Sequence, residues 1–483
     1  MNVRISFQVI GNFLKFLGLL MLVPTIFSLI YGEDDHRAFV VSAFLTTSFG
    51  FTLEKLAKTS DEVEEFHRKD GFLIVSLIWI TASIFGAIPY ILSGVFKNPI
   101  DALFESISGF TTTGASVIKN VEILPHGILF WRNFTQWLGG MGIIVLGIAI
   151  LPRLAVGGMQ LMSLEAPGPT TEKLTPRIAE TAKKLWGVYL ILSGLQVLLL
   201  FLAGMPLFDS VVHMFGTMST GGYSIKSLSI GAYGGPLIDI IIIVFMFIAG
   251  MNFVLHYRLF KGDYKRLLSD SEFRFYFFLN IGAILFVTLE LWIRMYPSFL
   301  EALRFASFQV VSIVTTTGFA TTDFDIWPPF SKWLLFILMF IGGCAGSTSG
   351  AIKNIRIMIL LKKGFNEINK LIYPKAVLPI RLGKKAATEE VVSSITGFFL
   401  LYLLIFLIAT LLIMADGVPI ITTISACAAT IGNVGPGLGE VGPSLNYAGL
   451  SGFTKIILCL LMLLGRLELY TILILFVPLF WKK

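Results

Sequence analysis

The sequence predicts an all-α integral membrane protein. Ten transmembrane helices plus four re-entrant pore half-helices are expected, as four pseudo-repeated span–pore-helix–span units around one central pore. Three observations predict it. First, the 483-residue chain is 55% hydrophobic and only 14% charged, with a mean hydropathy of +0.82; a soluble chain carries about a quarter charged residues. Second, apolar runs recur at the length of about 20 residues that a bilayer-crossing helix needs. Third, four shorter apolar segments each run into a small, Thr/Gly-rich stop between two spans.

Taken in order, an N-terminal helix pair fills residues 1–70, with spans at about 9–31 and 37–53. The first run lacks a small-residue cleavage site and reads as a span, not a signal peptide. The first pore repeat covers 71–184, with spans at about 71–95 and 127–151. The second covers 185–274, with spans at about 185–204 and 236–257. The third covers 275–390, with spans at about 275–296 and 331–361, the latter broken by glycines. The fourth covers 391–483, with spans at about 391–415 and 454–480.

The external segments share a grammar. Pro99 and Asp101 open the first and Gly114 closes it; Pro206 and Asp209 open the second and Gly222 closes it. Aspartate precedes glycine by 13 residues in both. Pro297 and Glu301 precede Gly318, and Pro419 precedes Gly435 by 16, the separation of Pro206 and Gly222. Proline suits a first helical turn, where its missing N–H costs nothing, and an acid there suits the positive helix end. About ten apolar residues follow, too few to cross. They fit half-helices that enter from outside and stop at mid-membrane, where non-helical backbone survives only if protein buries it or it lines a wet cavity.

The stops are Thr111-Thr112-Thr113-Gly114, Ser219-Thr220-Gly221-Gly222, Thr315-Thr316-Thr317-Gly318 and Asn433-Val434-Gly435. Four such stops at one depth, repeated internally, imply a shared cavity. Backbone carbonyls in a ring can replace the hydration shell of a cation, and a closing glycine permits the φ > 0 conformations this requires. In the fourth stop two registers compete, Thr430-Ile431-Gly432 and Asn433-Val434-Gly435; the proline spacing favours the second.

Charge sets the topology. Of 37 Lys and Arg residues, 24 fall in segments read as cytoplasmic and nine on the opposite side. The positive-inside rule then puts both termini in the cytoplasm. The net charge of +7 is thus topological and membrane-facing, with no nucleic-acid partner implied. Cys344, Cys427 and Cys459 show no metal or disulfide spacing, and His126, His213 and His256 show no ligand pattern. The spans offer almost none of the clustered His, Asp or Ser that a membrane-embedded enzyme would need. Asp101, Glu105, Asp209 and Glu301 could draw cations to the outer mouth. Helix capping by the two aspartates, and a filter-amide hydrogen bond from Glu105, are the alternatives.

With these stops, further stretches resemble the TrkH/KtrB family of bacterial potassium-translocating subunits, in the Trk/Ktr/HKT superfamily. They are Phe104-Glu105-Ser106, Gly139-Gly140-Met141-Gly142, Pro176-Arg177-Ile178-Ala179-Glu180-Thr181, Gly342-Gly343-Cys344-Ala345-Gly346-Ser347-Thr348 and Gly465-Arg466-Leu467-Glu468. The extra N-terminal pair resembles the TrkH branch. The resemblance implies K+ uptake across the bacterial inner membrane, a homodimer and a cytoplasmic nucleotide-binding regulatory subunit of the TrkA kind. Segment 157–184 is a candidate dock for that subunit. Glycine at all four closing positions (Gly114, Gly222, Gly318 and Gly435) goes with K+ preference in the superfamily.

Gly342, Gly343, Gly346 and Gly350, with Ser347 and Thr348, break the eighth span. A packing kink between close helices is one reading; a movable gate loop beneath the filter is what the resemblance implies. Arg466 sits in the last span. A charge there faces the protein interior or a wet cavity, as a barrier below the filter or as a partner of Glu468. Lys353 could cap the broken helix. A coupled secondary transporter of another solute, using midplane broken helices, is the alternative function.

Overall fold

The computed structural model describes residues 3–57, 68–149, 174–383 and 385–482. The expectations placed on 58–67 and 150–173, including most of the candidate dock, lie outside those residues. Among the described residues the architecture is helical, apart from one hairpin in which Arg381 pairs with Ala386 and Leu382 with Lys385.

The N-terminal pair comprises α1 (Val3–Leu20), α2 (Val23–Tyr31) and α3 (His36–Ala57). Helices α1 and α3 cross closely at two glycines: a methyl on Gly11 would lie 2.7 Å from the Gly50 carbonyl oxygen, and one on Gly50 the same distance from that of Gly11. Small residues permit this approach in membranes, and Lys15 pairs with Glu54 at 2.9 Å beside it. The pair docks through Glu33, which accepts from His126 N at 2.6 Å and contacts its Nδ1 at 2.8 Å.

Four units follow. The first is α4 (Arg68–Leu92), α5 (Pro99–Phe110) and α6 (His126–Ala149). The second is α7 (Leu174–Leu202), α8 (Leu207–Met218), α9 (Pro236–Ala249) and α10 (Phe253–Phe260). The third is α11 (Ser271–Arg294), α12 (Phe299–Val314), α13 (Pro329–Leu338) and α14 (Asn354–Ile372). The fourth is α15 (Glu389–Ala415), α16 (Ile420–Ile431) and α17 (Gly452–Arg466).

The short helices α5, α8 and α16 run 12 residues and α12 runs 16, so the third half-helix is about one turn longer than the other three. The Asn98 side chain caps α5 by accepting from Ile100 N at 3.0 Å, with Pro99 in the first turn. Helices α8 and α16 start directly after Pro206 and Pro419.

By length and composition, five described helices can cross a membrane, or seven if each bent pair is one span. That is short of ten. The shortfall lies where spans carry polar or broken sequence. Helix α6 buries Arg132, Asn133 and Gln136. The sixth expected span bends 104° between α9 and α10, and the tenth bends 109° after Arg466. The eighth is interrupted between α13 and α14, where its glycines fall. The long helices turn apolar side chains such as Phe44, Ile293 and Leu411 outward, while α5, α8 and α16 are almost wholly buried from their second turn to their stops, and α12 is buried from Phe308 onward. From Thr422 to Ile431 every residue but Ile424 is buried.

Candidate functional site: a ring of four re-entrant stops

Each half-helix ends in the same backbone sequence. Thr111, Ser219, Thr315 and Gly432 close the helices in the right-handed region. The next residue turns left-handed: Thr112 (φ 54°), Thr220 (53°), Thr316 (56°) and Asn433 (52°). Two residues on, Gly114, Gly222, Gly318 and Gly435 have φ of 83°, 73°, 78° and 106°. Left-handed φ is unfavourable for a non-glycine residue and worth notice wherever it occurs; four at equivalent positions are one device used four times. Asn433 thus corresponds to Thr112, Thr220 and Thr316, and Gly435 to the other closing glycines.

Buried backbone groups need partners, and the turn divides them between two directions. The amides of the stops point back at their own half-helices: Thr113 N to Ser108 O (2.9 Å), Gly221 N to Gly216 O (2.8 Å), Thr317 N to Ser312 O (2.8 Å) and Val434 N to Ala429 O (2.7 Å). The carbonyl oxygens between the left-handed residue and the closing glycine lie against the neighbouring stop. A methyl on Gly114 would lie 2.2 Å from Gly221 O, one on Gly222 1.8 Å from Thr317 O, one on Gly318 2.0 Å from Val434 O, and one on Gly435 2.7 Å from Thr113 O. First touches second, second third, third fourth, and fourth first. The four stops form one closed ring.

The ring is braced from behind. Gln136 donates from Nε2 to Gly221 O at 2.6 Å and accepts from Tyr223 N at 3.0 Å. Tyr447 donates to Gly435 O at 2.7 Å, and Asn433 Nδ2 to Thr113 Oγ1 at 2.9 Å. Buried Arg132 binds Glu105 Oε1 at 2.6 Å and Ser224 O at 2.9 Å, and lies 3.5 Å over the Tyr223 ring. Glu105 accepts from Val117 N, three residues beyond Gly114, at 3.0 Å.

Outside the ring lies a cavity of about 140 Å³ lined by all four closing glycines together with Lys119, Arg132 and Lys226. No carboxylate lines it. Asp101, Glu105, Asp209 and Glu301, named as acids that could draw cations to the outer mouth, are not among its lining residues. Asp101 is held by Lys455 Nζ at 2.6 Å and Asp209 by the Tyr233 hydroxyl at 2.6 Å. Nor do the two aspartate side chains cap their helices: Asn98 caps α5, and α8 has no side-chain cap.

Beneath the ring, glycines let other helices touch the helix ends. A methyl on Gly139 would meet Phe110 O at 1.9 Å, and one on Gly465 would meet Ile431 O at 2.0 Å. The segment between α13 and α14 also lies here. Its neck is closed by Gly342 N donating to Ile352 O (2.7 Å) and Asn354 N to Gly343 O (3.1 Å). Gly346 O accepts from Phe253 N at 3.1 Å, Ser347 Oγ donates to Cys344 O at 2.6 Å, and Thr348 Oγ1 to Met218 O at 3.1 Å. Gly350 N donates to Thr316 Oγ1 at 2.7 Å, which hangs the loop from the third stop.

Arg466 is buried against this loop. Its Nη1 donates to Thr348 O at 2.7 Å and its Nη2 to Gly139 O at 3.3 Å. Glu468 is not its salt-bridge partner, because that carboxylate binds Arg356 instead. Lys353 occupies the N-cap of α14, but its side chain makes no cap bond and donates to Ser349 O.

Gln136 and Tyr223 were not legible as site residues. The signal was there: Arg132 and Gln136 stand four apart on one face of a span, and polar residues inside a membrane mark pathways.

The apolar helices long enough to cross a membrane, packed around a closed ring of four half-helix stops, define a multi-pass helical membrane protein. A family described as cation transport proteins, TrkH, matches residues 36–483. The chain is 42% identical over 487 residues to the "Trk system potassium uptake protein TrkH" of Escherichia coli K12, with all of both chains covered. It is 41% identical over 488 residues to the protein of the same name from Halomonas elongata, again over the full length of both. It superposes on the crystal structure of the potassium transporter TrkH from Vibrio parahaemolyticus with a TM-score of 0.91, 40% identity and complete coverage of both chains. The chain belongs to the TrkH family.

Proposed function

We propose that this protein takes up potassium ions through the ring, with Thr112-Thr113-Gly114, Thr220-Gly221-Gly222, Thr316-Thr317-Gly318 and Asn433-Val434-Gly435 as the selectivity filter. One observation carries the reading: the four stops meet in a closed cycle, each closing glycine against the carbonyl of its neighbour. Amides turned back into the half-helices leave carbonyl oxygens as the groups that can take over a cation's hydration shell. Half-helix C-termini add partial negative charge at the inner side. Relatives over full length are named potassium uptake proteins, which supports K+ as the cargo.

Below the filter, Gly342, Gly343, Gly346, Ser347, Thr348 and Gly350 act with Arg466 as a gate. The loop hangs from Thr316 and the arginine grips Thr348, so a fixed positive charge and a tethered loop together bar the ion's way. The chain works in the bacterial inner membrane with both termini cytoplasmic, as a homodimer regulated by a nucleotide-binding subunit of the TrkA kind. Each of the four units, at 71–184, 185–274, 275–390 and 391–483, contributes one quarter of the pore, with the N-terminal helix pair set beside them. The "Trk system" named for the relatives supports a multi-component assembly. The test is Rb+ uptake into liposomes holding the purified protein. Competition by K+ but not by Na+ supports the reading; uptake that Na+ competes equally well refutes it.

A further inference from the structure

We infer that Glu272 is a positioning residue of the gate: its carboxylate ties both flanks of the intramembrane loop to the start of α11. This rests on the reading of that loop as a gate. Glu272 is 7% exposed, and its Oε1 accepts from Ala345 N at 2.7 Å and from Ile355 N at 3.0 Å. Ala345 lies within the loop and Ile355 in the first turn of α14, immediately after it. One oxygen therefore holds two amides that stand on opposite sides of residues 346–354, the stretch hanging from Thr316 and gripped by Arg466.

An acid in a first helical turn ordinarily serves its own helix. Here that task is already taken: the Asp270 side chain caps α11 by accepting from Phe273 N at 2.8 Å. Glu272 is thus released to reach another element. Without it, the buried Ala345 amide loses its partner, and an unmade buried hydrogen bond disfavours the arrangement that requires it. The arrangement disfavoured is the one with the loop lodged beneath the ring. Loss of the tether shifts the population toward open loops, in proportion to the difference between the two states.

Both amides use one oxygen, so the bond pattern separates the chemistry from mere bulk. Glu272→Gln retains an acceptor oxygen at the same reach. Glu272→Asp retains the carboxyl group but draws the acceptor back by one methylene. Ile355→Pro removes one donor while leaving Glu272 intact, at a first-turn position where proline is tolerated. Rb+ uptake is measured in liposomes for these three variants beside Arg466→Ala, each checked for an unchanged elution volume and melting transition. Glu272→Asp and Ile355→Pro raise basal uptake by roughly tenfold, and Glu272→Gln stays near the unsubstituted protein. If Glu272→Gln leaks as much as Glu272→Asp, or if Arg466→Ala leaks and neither Glu272→Asp nor Ile355→Pro does, the tether is refuted while the gate stands. If none of the variants leaks, Arg466→Ala included, the gate and its tether fall together.

Discussion

Gly222 leaves the space that the carbonyl oxygen of Thr317 occupies: a methyl on Gly222 would lie 1.8 Å from that oxygen. The contact is one of four in the ring, and they are graded, at 2.0 Å for Gly318, 2.2 Å for Gly114 and 2.7 Å for Gly435. Alanine at any of them also takes on a left-handed φ, at a cost of about 1–2 kcal/mol. Discrimination of Rb+ over Na+ should therefore fall most for Gly222→Ala and least for Gly435→Ala. Competition uptake assays on the four variants check the order; a uniform effect would argue against steric closure of the ring.

Arg466 holds Thr348 O, and Gly350 N hangs from Thr316 Oγ1. Arg466→Ala removes a fixed charge and two donors from under the ring and should raise K+ or Rb+ uptake. Thr316→Val keeps the shape but leaves the Gly350 amide unpaired, which disfavours the lodged loop by about 1–3 kcal/mol. Thr316→Ser keeps the oxygen and should behave as the unsubstituted protein. Flux through liposomes is the readout, and unchanged flux in folded Arg466→Ala would remove the arginine from the gate.

Arg132 and Glu105 form an ion pair 4% and 0% exposed. Breaking a buried pair from one side costs about 3–5 kcal/mol, because the other charge is stranded. Glu105→Gln and Arg132→Met should each lower the melting temperature sharply, and the double variant should lose less than the sum. Thermal melts of the three proteins measure the coupling; strict additivity would mean the two groups do not act together.

Asp416 follows the last turn of α15 and accepts from Ser451 Oγ and from Thr454 Oγ1. These hydroxyls hold its carboxyl below its ordinary value of 3.8. A depressed carboxylate contributes stability above the unfolded-state pKa, and that contribution disappears as pH falls through the folded one. A Ser451→Ala, Thr454→Ala variant should melt earlier than its parent at neutral pH. The gap should narrow as pH drops below about 4. A gap that persists in acid would assign the effect to packing.

The half-helices were legible because a proline stands at or just before the start of each and a glycine closes it, with an acid in the first turn of three, and each residue has a local cause. The fourth register was less so: Thr430-Ile431-Gly432 has the better composition, yet Asn433 holds the left-handed turn and Gly435 meets Thr113 O. The proline spacing favoured that register, and the backbone turn and the neighbouring stop agree with it. The bend between α9 and α10 escaped because Gly250-Met251-Asn252 sits in an apolar run. Its cause is distant: Gly250 O accepts from Cys344 N at 2.8 Å, and a methyl on Gly250 would strike Thr315. Glu468 looked like a partner for Arg466 by proximity in sequence, but left-handed Glu468 and Leu469 turn the chain away, and Arg356 takes the carboxylate. Long-range partners of this kind leave no period or spacing to read.

The most direct test of the carbonyl ring is anomalous diffraction from crystals grown in Rb+. The account predicts a peak on the axis framed by the carbonyl oxygens of Thr113, Gly221, Thr317 and Val434. An axis without Rb+ density, in crystals that carry Rb+ peaks elsewhere in the protein, would contradict it.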